Sequence, residues 1–255
     1  MSDLILIDSI ASYWNEHIHD LSVATQPVGS PGFFKELDEY RFDKLNYLPN
    51  LVNFSAYQGK TILEVGCGVG IDLVRFAKGG ARVTGVDLSP VALELARQNF
   101  AHNGLDADLC LMNGEALDFE DDSFDVVYAH GVLQYTANPG KMVAEIYRVL
   151  KTGGEAILMV YNKYSWLNML SMVMQVSLEH EDAPVLRKFS SREFRRLLEP
   201  FHSYQIIPER FPVKSRLHVG IKGSVYNSIF VGAFNALPKA LVRPMGWHLM
   251  AFARK

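Results

Sequence analysis

With 255 residues, 49% of them hydrophobic, this chain can bury one large core, and a second independent domain is not expected. A formal net charge of -3 argues against a protein that holds nucleic acid through its whole-surface field. Two cysteines, Cys67 and Cys110, supply neither a disulfide framework nor a metal-ligand spacing, which suits a reducing cytoplasm.

The chain opens with acidic residues and no basic stretch before its first apolar run, so it does not read as a signal peptide. No run reaches the ~18 uninterrupted apolar residues of a spanning helix. Two helices are expected first, Ile5 to Leu21 and Ser30 to Leu48, the second with Ser30 and Pro31 in N-cap and N1 order. His17, His19 and Asp20 have metal-binding side chains, but residues two apart on a helix diverge and no partner motif follows, so no metal site is expected.

The decapeptide Thr61 to Gly70 is the most informative stretch. An apolar strand, Thr61 to Val65, carries Glu64 and breaks into Gly66, Gly68 and Gly70, after which a helix begins at Ile71. Glycines tolerate positive φ and let a ligand approach the backbone. The helix start behind them directs partial positive charge at that ligand. The spacing is G-x-G-x-G, not the G-x-G-x-x-G of a pyrophosphate cradle, and Glu64 would oppose a phosphate but suit an ammonium group.

A second strand, Arg82 to Asp87, ends in a carboxylate placed to accept from both ribose hydroxyls, the role of the acid after the second strand of nucleotide-binding βαβ units. Leu88 follows as a candidate for the adenine face, and Ser89-Pro90 starts the next helix. Further strands are read at Ala107 to Met112, Asp125 to His130, Glu155 to Tyr161, Tyr204 to Pro208 and Trp247 to Ala253. Such alternation of strand and helix gives a parallel sheet covered on both faces. Strand ends of these sheets face the ligand crevice, which makes His130 the best candidate for a general base. Its alternative is a residue that lines the cofactor by backbone with an imidazole that packs.

Glu64-Val65-Gly66-Cys67-Gly68-Val69-Gly70 resembles the first motif, E-x-G-x-G-x-G, of the class I S-adenosylmethionine-dependent methyltransferases, of the small-molecule type. Met112 to Val127 is similar to that family's G-D-A-x-x-L-P-F-x-D-x-S-F-D-V-V stretch, with Asn113 where an aspartate is usual. The resemblance implies a Rossmann-like three-layer sandwich whose seven-stranded, mostly parallel sheet ends in an antiparallel strand. It implies S-adenosylmethionine as cofactor and S-adenosylhomocysteine as product. It places Glu64, Gly66, Cys67, Gly68, Asp87, Leu88, Asn113, Gly114, Glu115 and His130 around that cofactor. The amide oxygen of Asn113 can accept from the adenine amine, and Glu115 is an alternative source of that contact.

The acceptor side is less typical of the family. One domain over residues 1–255 is expected, with a helical lid over 1–50 and apolar insertions near 162–189 and 214–243. Relatives use the segment before the first strand to cover the cofactor, which makes Tyr13, Trp14 and Arg41 candidate acceptor contacts beside Tyr161, Tyr164 and Trp166. The methionine-rich run Tyr161 to Leu178 reads as a helix that either lines a hydrophobic pocket or packs the core. Val225 to Val242 reads as a lid over such a pocket or as a peripheral membrane contact. Arg187, Lys188, Arg192, Arg195 and Arg196 read first as a solvated helix face, with an anionic substrate group or phospholipid surface as the alternative.

With no Asn/Asp-Pro-Pro-aromatic motif after the fourth strand and no aromatic-basic interleaving, a small or lipid-like acceptor is favoured over nucleic acid. A cofactor-binding regulatory protein without catalysis, and an enzyme of the same fold moving an aminopropyl or carboxymethyl group, share the same donor-side features.

Overall fold

The computed structural model describes residues 3–18, 20–175, 177–178, 180–213 and 226–255. Seven strands, β1 (Thr61–Val65), β2 (Arg82–Asp87), β3 (Asp108–Leu111), β4 (Phe124–His130), β5 (Leu150–Tyr161), β6 (Ser203–Glu209) and β7 (His248–Arg254), form one sheet in the order β3-β2-β1-β4-β5-β7-β6. The first five run parallel, and β7 lies antiparallel to both β5 and β6. The parallel strands are as expected from the alternation of elements, and the seven-stranded Rossmann-like sheet with its antiparallel last strand is the one the resemblance implies. Chain order reverses between β1 and β4, and that switch point opens a crevice at the carboxyl ends of the strands.

Side chains alternate along each strand into two packed layers. On β4, Val127 and Ala129 pack against Met142, Val143 and Ile146 of one helix, α6 below, while Val126 and Tyr128 join Leu73 and Phe76 on the other face. The described α-helices are α1 (Asp3–Glu16), α2 (Pro31–Lys44), α3 (Leu48–Leu51), α4 (Ile71–Lys78), α5 (Pro90–Asn103), α6 (Pro139–Val149), α7 (Trp166–Met174), α8 (Ser191–Leu197), α9 (Val231–Ala236) and α10 (Lys239–Val242). Ser30, Ser89, Asn138, Ser165 and Ser190 each accept a backbone N–H at the start of a helix, so short polar side chains set these boundaries.

Several boundaries differ from those read in the sequence. The first helix stops at Glu16, and Asp20 takes a left-handed φ of 61° before a 3-10 turn at Leu21–Val23. The second stops at Lys44 because Pro49 has no N–H to offer Leu45, and α3 begins anew with that proline in its first turn. The run after β5 is not helical from Tyr161. Instead β5 continues through Tyr161, Asn162 bridges to Phe189, and α7 starts after Ser165.

The methionines of α7 line neither pocket nor core. Met169, Met172 and Met174 are all more than half exposed, and Val173 is 82% exposed. Ser190 and Glu193 form a reciprocal capping box that starts α8 within the basic cluster. His19, Val176 and the stretch 214–225, including the first residue of the Val225 to Val242 run, lie outside the described residues. No helix among the described residues is long and apolar enough to cross a membrane.

Because β5 is an interior strand, paired with β4 on one side and β7 on the other, a buried residue on it is a sensitive probe of the sheet. Leu158 is fully buried in the larger core cluster, so Leu158→Ala is expected to lower unfolding stability by about 2–5 kcal/mol. Equilibrium urea denaturation checks this.

Candidate active site

The crevice above β1 and β4 is a cavity of about 210 Å³ whose walls come from α1, α2, the glycine loop, the ends of β2, β4 and β5, and the start of β7. Gly66, Gly68 and Gly70 all take positive φ, at 69°, 53° and 74°. A Cβ on Gly66 would strike Val132 at 2.4 Å, so that turn excludes any side chain. At Gly68 a Cβ would meet nothing within 4 Å, because the space beside it is the cavity.

Asp87 fixes this loop from below. Its carboxylate accepts from the Gly68 N–H at 2.8 Å and the Ser89 N–H at 2.9 Å. Burial nevertheless raises its pKa against the help of these backbone donors. Glu64, 5% exposed at the end of β1, has one carboxylate oxygen, Oε2, with no hydrogen-bond partner among the described residues. Burial, and then the charge of Asp72, push its pKa well above the ordinary range, with Arg41 opposing. A buried carboxylate aimed into a cavity in this state is set to receive a cation.

Asn113 and Glu115 both line the cavity but are engaged locally. The Asn113 amide oxygen accepts from the Glu115 N–H at 2.9 Å, which closes an Asx turn and leaves one lone pair. Glu115 Oε1 accepts from the Thr136 hydroxyl and from the Asn138 N–H, tying the loop after β4 to the loop after β3. Gly114 is packed so closely that a Cβ would meet Val65 at 2.6 Å.

A buried polar network forms the opposite wall. Arg41 of α2 grips Asp72 of α4 with both ends of its guanidinium, Nε at 2.6 Å, and the Tyr128 hydroxyl donates to the same carboxylate at 2.8 Å. Burial alone would raise the Asp72 pKa, but the charge and hydrogen bonds of Arg41 hold it below the ordinary range. Arg41 Nη2 also lies 3.3 Å from His130 Nδ1, and Tyr47 Oη 3.2 Å from His130 Nε2. Tyr47 Oη is in turn 2.6 Å from His248 Nδ1, and Arg210 Nη1 3.1 Å from His248 Nε2.

Arginine can only donate, so Nδ1 of His130 and Nε2 of His248 are the unprotonated nitrogens. Each imidazole then donates its N–H to the Tyr47 oxygen. Burial, followed by the Arg41 guanidinium, lowers the His130 pKa to about 3. Burial and Arg210 take His248 well below its usual value. Both rings are neutral at physiological pH.

Of the acceptor contacts expected from sequence, Trp14, Arg41 and Tyr161 line the cavity, with Trp14 edge-on to Tyr135 at 5.0 Å. Tyr13, Tyr164 and Trp166 do not. Tyr13 donates to Asp182 at 2.8 Å, Tyr164 is 62% exposed, and the Trp166 indole donates to the Arg210 carbonyl at 2.9 Å. Asp72, Tyr47, Arg210 and His248 were not singled out from sequence. Only His248 had a usable signal, since a final antiparallel strand must bring its first residue to the crevice edge.

Residues 63–158 match the family model for the methyltransferase domain. Over this segment the chain is similar to the class I S-adenosylmethionine-dependent methyltransferases. The sterol 4-C-methyltransferase strm-1 of Caenorhabditis elegans is 39% identical to this chain over 99 residues, 38% of the chain and 29% of that protein. A ubiquinone biosynthesis O-methyltransferase of Pseudomonas entomophila is 30% identical over 141 residues, 55% of the chain and 60% of that protein. The chain therefore spans less than two thirds of the length of either relative. Geranyl diphosphate C-methyltransferase of Streptomyces coelicolor superposes with a TM-score of 0.59 at 17% identity, covering 97% of both chains, a likeness of fold.

The matched segment holds Glu64, the glycine loop, Asp72, Asp87, Asn113 and His130 of the cavity. Arg41, Tyr47, Arg210 and His248 lie outside it. The orphaned Glu64 oxygen and the open space at Gly68 fit a nucleoside with a cationic amino-acid tail.

Glu64 has a measurable signature without any ligand. The folded protein keeps a proton there that the unfolded chain releases at about pH 4.5, so Glu64 makes stability fall as pH rises from that point to the raised folded pKa. Glu64→Gln is expected to flatten this slope and to raise Tm at neutral pH in cofactor-free protein. Thermal melts from about pH 5 upward check it, a window above the range in which Asp72 protonates.

Proposed function

We propose that this chain is a methyltransferase that moves the methyl group of S-adenosylmethionine to a small, partly hydrophobic acceptor. The observation that carries the reading is the unpartnered Oε2 of Glu64, set beside the open glycine turn and in one cavity with Asp87. When bound, the cofactor supplies a methyl group on a sulfonium, which a nucleophile displaces in line. The protein therefore has chiefly to align and enclose the reactants.

In this reading Glu64 takes the cofactor ammonium, and the free lone pairs of Asp87 take the ribose hydroxyls. Leu88 packs on adenine, and the remaining lone pair of Asn113 with the backbone at Gly114 meets its polar edge. Glu115 holds the loop from behind and does not touch the base. His130 is a positioning residue. With Nδ1 accepting from Arg41 and Nε2–H donating to Tyr47, it has no free basic nitrogen, and a pKa of about 3 makes it a poor proton acceptor.

Trp14, Tyr135, Met159 and Tyr161 form the less polar part of the wall, which suits an acceptor with an apolar body. The sterol, ubiquinone-pathway and geranyl diphosphate substrates named for the relatives support a lipid-like acceptor.

Asp87→Asn and Asp87→Ala are expected to weaken cofactor binding by about tenfold or more, the scale of a lost hydrogen bond to a charged group. Titration calorimetry with S-adenosylhomocysteine reads this, and undiminished affinity in both variants would remove Asp87 from the site. Methyl-labelled cofactor incubated with a metabolite extract tests transfer itself. Label in a small molecule supports catalysis, whereas cofactor binding with no transfer to any acceptor would favour a regulatory binding protein.

A further inference from the structure

Among the described residues the cavity walls carry three basic side chains, Arg41, Lys44 and Arg210. Two are matched, Arg41 by Asp72 and Lys44 by Asp20 at 2.9 Å. Arg210 has no carboxylate partner among the described residues, and its guanidinium contacts only His248 Nε2, at 3.1 Å. It is also held rigidly. It follows β6 with a left-handed φ of 59°, and its carbonyl accepts from the Trp166 indole at 2.9 Å and the Trp247 N–H at 3.3 Å.

We propose that Arg210 is the anchor for an anionic oxygen group, a carboxylate or phosphate, on the acceptor molecule. The proposal rests on the methyltransferase reading for the word acceptor, and on the cavity alone for the anion.

The physical case lies in what supports the arginine. A guanidinium backed by a carboxylate is already neutralised, as Arg41 is by Asp72. Arg210 is backed by a neutral imidazole lone pair, which orients the fork and takes one N–H but leaves the positive charge uncompensated. Leaving a half-buried cation without a counter-ion costs stability and is tolerated where a ligand supplies the missing charge.

The wall beside it argues against the simplest rival, a contact with the cofactor carboxylate. Arg41, close enough to Glu64 for their charges to act on each other, stands at the end of the cavity where the cofactor tail belongs. Arg210 is separated from Arg41 by the chain His248, Tyr47, His130. The same hydrogen-bonded chain fixes the distance between the anion anchor and the wall at the end of β4. An acceptor gripped at Arg210 by its charged end would thus lie along the less polar wall with its other end towards the glycine loop.

The test uses the 255-residue chain saturated with S-adenosylhomocysteine and two matched probe pairs, 4-hydroxybenzoate with its methyl ester and octyl phosphate with octanol. Binding is measured by calorimetry or ligand-observed NMR. The anionic member of at least one pair is expected to bind tenfold or more tightly than its neutral partner, and the pair that shows the preference separates carboxylate from phosphate. Arg210→Asn, a residue that accepts the left-handed backbone, should abolish the preference, and Arg210→Lys should keep part of it.

Affinity for S-adenosylhomocysteine should stay within about twofold in both variants. Equal binding of anion and neutral probe by the wild type, or a preference that survives Arg210→Asn, overturns the proposal. A tenfold loss of S-adenosylhomocysteine affinity in both variants also overturns it, by assigning Arg210 to the cofactor carboxylate. Should the wild type fail to bind S-adenosylhomocysteine, the methyltransferase reading falls. The same probe titrations on unliganded protein then still decide whether Arg210 is an anion site.

Discussion

The buried pair between Arg41 and Asp72 is the constraint on which the site depends. Asp72 lies in the first turn of α4, directly behind the glycine loop, and Arg41 is on α2, which precedes the sheet. Their contact, with Tyr128 of β4 as a third member, joins the N-terminal segment, the loop helix and the middle strand. Breaking such a pair by removing one partner leaves a buried charge without compensation, which costs about 3–5 kcal/mol. Its persistence fixes where the N-terminal helices sit, and so gives the cavity one of its walls.

That pair also sets the chemistry of its neighbours. The Arg41 charge depresses the His130 pKa after burial has already lowered it, and it opposes the rise in Glu64. The arginine's inability to accept fixes the His130 tautomer, which in turn decides what Tyr47 and His248 can offer one another. One ion pair thus propagates into a row of neutral, directional hydrogen bonds along the acceptor wall.

The donor side of the site was legible in the sequence because it is local. Glu64, the three glycines and Asp87 lie within one βαβ unit, where strand, turn and helix follow directly from residue type and spacing. β1 and β2 begin and end where alternation and the Gly and Asp boundaries place them. The acceptor side was not, because its parts meet only through the sheet. Tyr47, Arg210 and His248 are up to 201 residues apart along the chain, and no local pattern links them. The α7 methionines misled for a related reason. Composition indicates an apolar helix, but which way its face turns depends on packing partners that a linear reading does not supply.

β7 is made after β6 yet lies inside the sheet, between β5 and β6. Until it emerges, β6 has no neighbour to pair with, and the carboxyl-end crevice lacks one of its walls. His248 is the first residue of that strand and supports both Tyr47 and Arg210. During synthesis the glycine loop and its first strands can assemble early, whereas the acceptor wall must wait for long-range closure of the sheet, a slow class of folding event. A nascent chain would therefore complete the glycine-loop half of the cavity before the half that carries Arg210 and His248 exists.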